Sequence, residues 1–387
     1  MRGRILSLLA DMLPPITTEE LAALAHSEGL APIPANLERV AREVGAELAR
    51  WAFTQWQLRG RGAAKFARSH EMLFVREALE QATHETLAAW HSSRFCTSGV
   101  FDMTCGIGAD LIALAARGPA FGAELDPERA RYAQHNLHVH DLHAAVHLGD
   151  CLLVKSDADC AWCDPARRAE GRRLQRIGEY APDVARAAEQ MRSLRLGGIK
   201  LSVMLTDAEL RELGGRIEFV NFGRECREAI VWLGADGGSG CHAVHVESGS
   251  TLATAAPGPV ANDPENSIYE AEPAAIRAHA LGTLCEAEGV QEWADSNGFL
   301  TGPSGKRSPW WTEFRVLAVT RLDRKEILST LNMLDARVVA VKPRGLDLDP
   351  AQWQKQLKAS GQRAVELLVT RRGGRPVCAL CERIQDL

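Results

Sequence analysis

Apolar residues recur at three-to-four spacing from Thr17 to about Phe95, with Leu21, Leu24 and Ala25 following Thr17, Thr18, Glu19 and Glu20. A hydroxyl-then-acid start followed by a helical period predicts a helical N-terminal domain over residues 1–95. After Gly99 the period changes. Short β-branched runs at Val100–Asp102, Ala120–Leu125, Ala145–Leu148, Asp159–Cys163 and Ile199–Leu205 alternate with helical stretches, the rhythm of a parallel sheet with crossover helices. Only Gly223–Arg227 separates Arg216–Phe222 from Glu228–Leu233, too little for a crossover and suited to an antiparallel hairpin. Seven strands are therefore expected in an α/β, Rossmann-like domain over residues 96–250.

The next stretch, Gly234–Asn266, is rich in Gly, Ser, Ala and Pro and reads as a loose loop or linker. Residues 251–312 are expected to hold linker and a helix over Glu272–Gly289. Residues 313–387 read strand, helix, strand, helix and strand pair: Phe314–Thr320, Asp323–Leu334, Arg337–Lys342, Asp349–Ala359, Ala364–Thr370 and Val377–Arg383. Gly373 and Gly374 turn the last pair, which makes this segment a small α+β module.

At 387 residues the chain exceeds one ordinary core, and 46% hydrophobic with 25% charged residues is a globular composition that excludes wholesale disorder. No apolar run approaches the roughly 20 residues of a bilayer span. Asp11 interrupts the apolar patch of Met1–Leu13 and no small-residue cleavage site follows, so a cytoplasmic protein without a membrane partner is expected. Ten scattered cysteines fit reduced thiols. The two Cys-x-x-Cys pairs, Cys160 with Cys163 and Cys378 with Cys381, fall in predicted strands, where i and i+3 face oppositely, so no metal is expected. Net charge is −5, yet residues 301–387 carry 16 Lys+Arg against 9 Asp+Glu, an excess suited either to a polyanionic partner or to a solvated face. Arg59, Arg61, Lys65 and Arg68, around Gly60 and Gly62, offer a second phosphate contact or an ordinary loop.

The chemistry concentrates in Val100-Phe-Asp-Met-Thr-Cys-Gly-Ile-Gly-Ala-Asp110. A strand ends at Asp102, a turn carries Thr104, Gly106 and Gly108, and a helix begins; the glycines let the backbone pass beneath a ligand and the helix N-terminus presents N–H groups. Leu111 stands where a dinucleotide fingerprint needs a third small residue, which disfavours a nicotinamide cofactor. The second strand ends in Glu124, placed to accept both hydroxyls of a ribose. The third ends in Asp150-Cys151, where a carboxylate and a backbone N–H suit adenine. Asp110 and Asp126 read as helix N-caps. The fourth strand ends Cys163-Asp164-Pro165-Ala166-Arg167-Arg168, so Asp164 emerges beside that nucleoside pocket, where a reacting group belongs.

In order and spacing these motifs resemble the class I S-adenosylmethionine-dependent methyltransferases. More narrowly, Leu79-Glu-Gln-Ala-Thr83, Asp164-Pro-Ala-Arg-Arg168, Gly223-Arg-Glu-Cys-Arg-Glu-Ala-Ile230 and Val341-Lys-Pro-Arg-Gly345 resemble bacterial methyltransferases with a THUMP-like C-terminal domain, kin of the RNA cap guanine-N2 (trimethylguanosine synthase type) enzymes. The likeness runs from about residue 60 to the C-terminus. Thr104 replaces the first glycine of many methyltransferases, and Ala166-Arg167 replace the second proline and aromatic residue of amino-methylating enzymes. The resemblance implies a seven-stranded class I sheet with a ferredoxin-like or THUMP-like C-terminal module. It also implies S-adenosyl-L-methionine as cofactor and an exocyclic base amine of RNA, guanine N2 favoured, as acceptor. Asp164 and the Pro165 carbonyl would orient that amine. Asp102, Thr104, Gly106, Gly108, Glu124, Asp150 and Cys151 would hold the cofactor, while Arg167 and Arg168 would hold the RNA. A small-molecule or protein acceptor, or a nucleoside-binding module without turnover, are the other readings.

Overall fold

The computed structural model describes residues 13–95, 99–166, 168–169, 172–173, 176–295 and 298–384. Its contacts form two compact units, Met1–Gly215 with Val231–Gly238, and Arg216–Ile230 with Ser239–Leu387.

The first unit opens with helices α1 (Thr18–Ser27), α2 (Pro34–Val44), α3 (Ala46–Gly62), α4 (Arg76–Gln81) and α5 (Glu85–Ser93). The Thr17 hydroxyl accepts the Glu20 N–H at 3.1 Å while the Glu20 carboxylate accepts the Thr17 N–H at 2.7 Å, a reciprocal cap that starts α1. Strands β1 (Val100–Asp102), β2 (Ala120–Glu124), β3 (Ala145–Leu148) and β4 (Cys160–Cys163) follow, with helices α6 (Ala109–Arg117) and α7 (Pro127–Val139) as the first two crossovers. A short antiparallel ribbon, β5 (Arg168–Ala169) with β6 (Arg172–Arg173), precedes α8 (Val184–Arg192), β7 (Leu196–Leu201) and α9 (Asp207–Glu212).

Within this unit the strands run β7-β4-β1-β2-β3, all parallel. The order reverses at β1, whose neighbours are β2 and β4; a crevice opens at such a reversal beyond the strands' carboxyl ends. The N-terminal helices share a core with the turn after β1: Leu58, Phe66, Met72, Phe74 and Leu79 pack on Ile107 and Ala109. They therefore form part of the unit that carries the sheet.

The second unit contains β8 (Arg216–Phe222) and most of β9 (Glu225–Leu233). Gly223 and Arg224 turn this hairpin, both at positive φ (61° and 64°), as a two-residue turn of primed type requires. The stretch expected as a loose linker is instead structured: β10 (Gly240–His245) pairs parallel with β8, β11 (Ser250–Ala253) pairs antiparallel with β10, and β12 (Val260–Ala261) joins a second sheet. Buried Ala243, Val244 and Leu252 suffice to hold β10 and β11, too few apolar residues to stand out among the surrounding Gly and Ser.

Beyond these lie β13 (Ser267–Ala271), α10 (Pro273–Arg277), α11 (Leu281–Glu288), β14 (Gln291–Trp293) and β15 (Phe299–Gly302). The expected single helix over Glu272–Gly289 is thus two, broken where His279 takes a φ of 52°. The chain ends with β16 (Trp311–Arg321), α12 (Arg324–Met333), β17 (Ala336–Pro343), α13 (Pro350–Gln356), β18 (Arg363–Arg372) and β19 (Arg375–Arg383). The sheet order is β12-β14-β15-β13-β16-β19-β18-β17, so residues 260–302 add four strands to the C-terminal module. One core packs Ile327 and Leu331 of α12 with Val365, Leu367 and Leu380, and another packs Ile268, Trp293, Phe299 and Phe314 with Leu368 and Ala379. The module's β-α-β-α-β-β order is not the β-α-β-β-α-β of a ferredoxin-like unit.

Candidate active site

A cavity of about 760 Å³ lies at the carboxyl ends of β1 to β4, and Glu124, Asp150 and Asp164 line it together with Thr104, Gly106 and Cys151. Gly106 and Gly108 adopt φ of 56° and 94°, the left-handed region that glycine enters without strain. A Cβ on Gly106 would meet no atom of the described residues within 4 Å, so the space at this lining position is open.

Each carboxylate is held differently. Glu124 Oε2 accepts the Gly106 N–H at 3.0 Å, and Oε1 accepts the N–H groups of Leu125 and Asp126 at 3.0 Å each. Three backbone donors fix the group at the cavity edge and leave lone-pair capacity for a hydroxyl. Asp150 Oδ1 caps the short turn Cys151–Leu153 through the Leu152 N–H at 2.9 Å. Asp102 is fully buried; its Oδ1 accepts the Thr104 N–H at 3.1 Å, and its Oδ2 has no hydrogen-bond partner among the described residues. Burial first, then the charges of Asp110, Asp164 and Glu124, raise the Asp102 pKa well above the ordinary carboxylate value. An orphaned buried oxygen in a surplus of negative charge is complementary to a ligand cation.

Asp164 sits at the end of a buried polar chain. The Thr104 hydroxyl accepts the Asp164 N–H at 2.7 Å, joining the ends of β1 and β4. Lys200, on β7, donates to Asp164 Oδ2 at 2.6 Å and to the Thr83 hydroxyl at 2.9 Å. Thr83 in turn donates to Asp110 Oδ2 at 2.8 Å, and Asp110 Oδ1 meets His91 Nδ1 at 2.8 Å. Burial raises the Asp110 pKa, but His91, Lys200 and Thr83 outweigh it and the net position is below the usual value. Asp110 is therefore a buried anchor and not the expected N-cap, because Gly108 occupies the cap position. Asp126 does cap α7, accepting the Arg129 N–H at 2.9 Å.

Comparison with known proteins gives consistent results. The chain is 28% identical over 337 residues to an uncharacterized S-adenosylmethionine-dependent methyltransferase of Mycobacterium tuberculosis, recorded for strains CDC 1551 and H37Rv, covering 84% of this chain and 93% of the relative. A crystal structure from Porphyromonas gingivalis W83, assigned provisionally as a methyltransferase, superposes with a TM-score of 0.79 at 20% identity, covering 97% of this chain and all of that one. The chain is a class I S-adenosylmethionine-dependent methyltransferase. Residues 312–383 match the family described as THUMP domain-like, so of the two expectations for the C-terminal module this is the one it meets.

The methyltransferase site also contains residues that the sequence reading missed. Thr83 ends the stretch Leu79-Glu-Gln-Ala-Thr83, to which the sequence assigns no role, and Lys200 stands in an otherwise apolar strand, Leu196-Gly-Gly-Ile-Lys-Leu201, whose six residues are all buried. A lysine in such a strand was the available signal. Arg167 lies outside the described residues, and Arg168 is placed as backbone on β5. Several expected phosphate contacts have other partners. Arg59 is buried and donates to the Met72 and Glu71 carbonyls, Lys65 donates to the carbonyls of Leu79, Glu80 and Ala82, and Arg68 pairs with Glu71. All nine described cysteines are free thiols, and Cys160, Cys163, Cys378 and Cys381 are buried in their strands.

Proposed function

We propose that this methyltransferase acts on RNA, at an exocyclic base amine with guanine N2 favoured, in line with the cap guanine-N2 resemblance. The observation that carries the proposal is the position of Asp164-Pro165 in the cavity that also holds Glu124 and Asp150. The match to a THUMP domain-like family supports RNA as the partner.

S-adenosylmethionine supplies an electrophilic methyl group on a sulfonium. In this reading Glu124 accepts the ribose hydroxyls, while the Asp150 carboxylate and the Cys151 N–H read adenine. The Gly106 backbone would make room for the methionine portion, while Gly108 and the fully buried Asp102, which are not among the cavity's lining residues, would shape the turn and supply negative charge toward its ammonium group. Thr104 braces the turn against Asp164. The Asp164 carboxylate and the Pro165 carbonyl would accept the two N–H groups of the acceptor amine, drawing its lone pair out of the ring; methylation of that nitrogen would release the thioether S-adenosylhomocysteine, and the surplus N–H proton would pass to Asp164 or to water. Alignment and water exclusion then supply most of the rate. Arg167 and Arg168 hold the RNA beside Asp164. The module's exposed cations contact phosphates, which position the strand without reading sequence.

The test is incubation of purified protein with radiolabelled S-adenosylmethionine and separate RNA, protein and small-molecule fractions, followed by nucleoside digestion. Label in N2-methylguanosine is expected. Label confined to the protein or small-molecule fraction overturns the RNA reading, and label at a carbon or ribose position overturns the amine reading.

A further inference from the structure

We infer that Lys200 is a positioning residue for methyl transfer, acting through Asp164 by setting the orientation and charge of the carboxylate that meets the acceptor. This rests on the reading of Asp164 as the acceptor-orienting group. The side chain of Lys200 is 6% exposed and its ammonium lies 2.6 Å from Asp164 Oδ2. An ammonium is buried at a high desolvation cost, and Lys200 is the one charged residue in the strand Leu196–Leu201, whose six residues are all buried. Its second anchor is also purposeful. Thr83 stands between α4 and α5, and through the Thr83 hydroxyl Lys200 is tied to Asp110 and His91. Lys65, which ties down the carbonyls of Leu79, Glu80 and Ala82, fixes the segment that carries Thr83. The N-terminal helices are thereby fastened to the catalytic edge.

The charge argument depends on what else faces Asp164. Asp102 of β1, Glu124 of β2 and Asp150 after β3 contribute negative charge at the same strand edge, and Asp110 of α6 lies behind Thr83. Cys163 precedes it on β4 with its thiol pushed up by burial. Arg129 of α7 and Asp183 with Arg186 at α8 line the same cavity, and Lys65 and Lys200 repel each other. Lys200, on β7, is a cation in direct contact with Asp164 at 2.6 Å, so its charge opposes that surplus of carboxylates.

The experiment uses full-length protein with ¹³C-carboxyl-labelled aspartate, the Asp164 resonance being identified by its loss in Asp164→Asn. In Lys200→Met the Asp164 titration midpoint is expected to rise by about one pH unit or more, with the acid limb of turnover on the labelled fraction moving the same way. Turnover falls about tenfold or more at neutral pH, while affinity for S-adenosylmethionine changes less than about threefold. Lys200→Arg keeps the wild-type midpoint and recovers part of the turnover. An unchanged midpoint and unchanged turnover in Lys200→Met overturn the inference. If Lys200→Met shows no cooperative melting, Lys200→Arg decides, and wild-type turnover with a wild-type midpoint overturns the inference. Undiminished turnover in Asp164→Ala overturns the underlying reading instead. The carboxylate titration needs no acceptor, so it decides the role of Lys200 even where RNA is not methylated.

Discussion

The charged groups of the two units are both clustered, but they are used differently. At the strand ends of the first unit, Glu124, Asp150 and Asp164 line one cavity, and Asp102, coupled to Asp164 and Glu124, keeps a buried oxygen with no hydrogen-bond partner among the described residues. In the second unit several of the basic residues are matched by acids. Lys342 pairs with Glu270 and Glu366, Arg344 with Glu270, and Arg372 with Asp263. Arg371 donates to the carbonyls of Gly345 and Gly374. An excess of like charge concentrated in a cavity calls for a ligand of opposite charge, whereas an excess spread over paired surface residues adds a weak field. Net charge alone is therefore a poor guide to where a polyanion binds, and the residue-by-residue pairing is a better one.

The contrast is broken most sharply at Asp164. Asp164→Ala is expected to lower turnover by roughly a hundredfold or more, with affinity for S-adenosylmethionine within a few fold of wild type. Radiolabel transfer and calorimetric titration check the two halves. Glu124→Ala comes next. Loss of a charged hydrogen-bonding partner costs on the order of 1.5 to 3 kcal/mol, so calorimetry should read roughly a ten- to hundredfold weaker affinity for S-adenosylmethionine.

Asp102→Asn separates stability from binding. Because the folded protein raises the Asp102 pKa, the carboxylate destabilises the fold as pH rises above the ordinary carboxylate range, and removing its charge relieves that. Melting without cofactor should therefore occur at a higher temperature in the variant at neutral pH, with the gain shrinking as pH falls toward the ordinary range. Affinity for S-adenosylmethionine should fall in the same variant. A lower melting temperature at neutral pH would show that the buried oxygen is already matched.

The smallest effect belongs to the basic module. Arg375 has no side-chain partner among the described residues, whereas Arg371 and Arg372 do. Arg375→Glu should reduce the slope of log affinity for RNA against log salt by about one contact, and adding Arg372→Glu should cost little more. Gel-shift titration across a salt series measures both, and a fall of two or more contacts for Arg372→Glu alone would contradict the pairing.

Much of the first unit was legible because its signals are local. A strand ending in Asp102, a glycine turn and a helix follow one another within eleven residues, Glu124 ends the next strand, and Asp150 lies two residues beyond the end of the one after it. Capping of α7 by Asp126 was equally local, since it needs only three residues of chain. Asp110 misled for the opposite reason. Its position near a helix start suggests a cap, and its partners Thr83 and His91 come from a segment 19 to 27 residues earlier. The strands β10 and β11 were missed because a few buried side chains in a Gly- and Ser-rich stretch leave no periodic run to detect.

By itself the sequence determined the alternating strands and helices of the first unit, the acidic strand ends, and the β-α-β-α-β-β order of the last 76 or so residues. These follow from periodicity and from residues close together in the chain. Only the tertiary structure decided which charges meet. It brought Lys200 within 2.6 Å of Asp164, 36 residues away, and Thr83 within 2.9 Å of Lys200, 117 residues away. It matched Lys342 with Glu270 at a separation of 72 residues and Arg372 with Asp263 at 109. Pairing across such distances depends on strand order and packing, and these are settled by how whole elements bury their apolar faces.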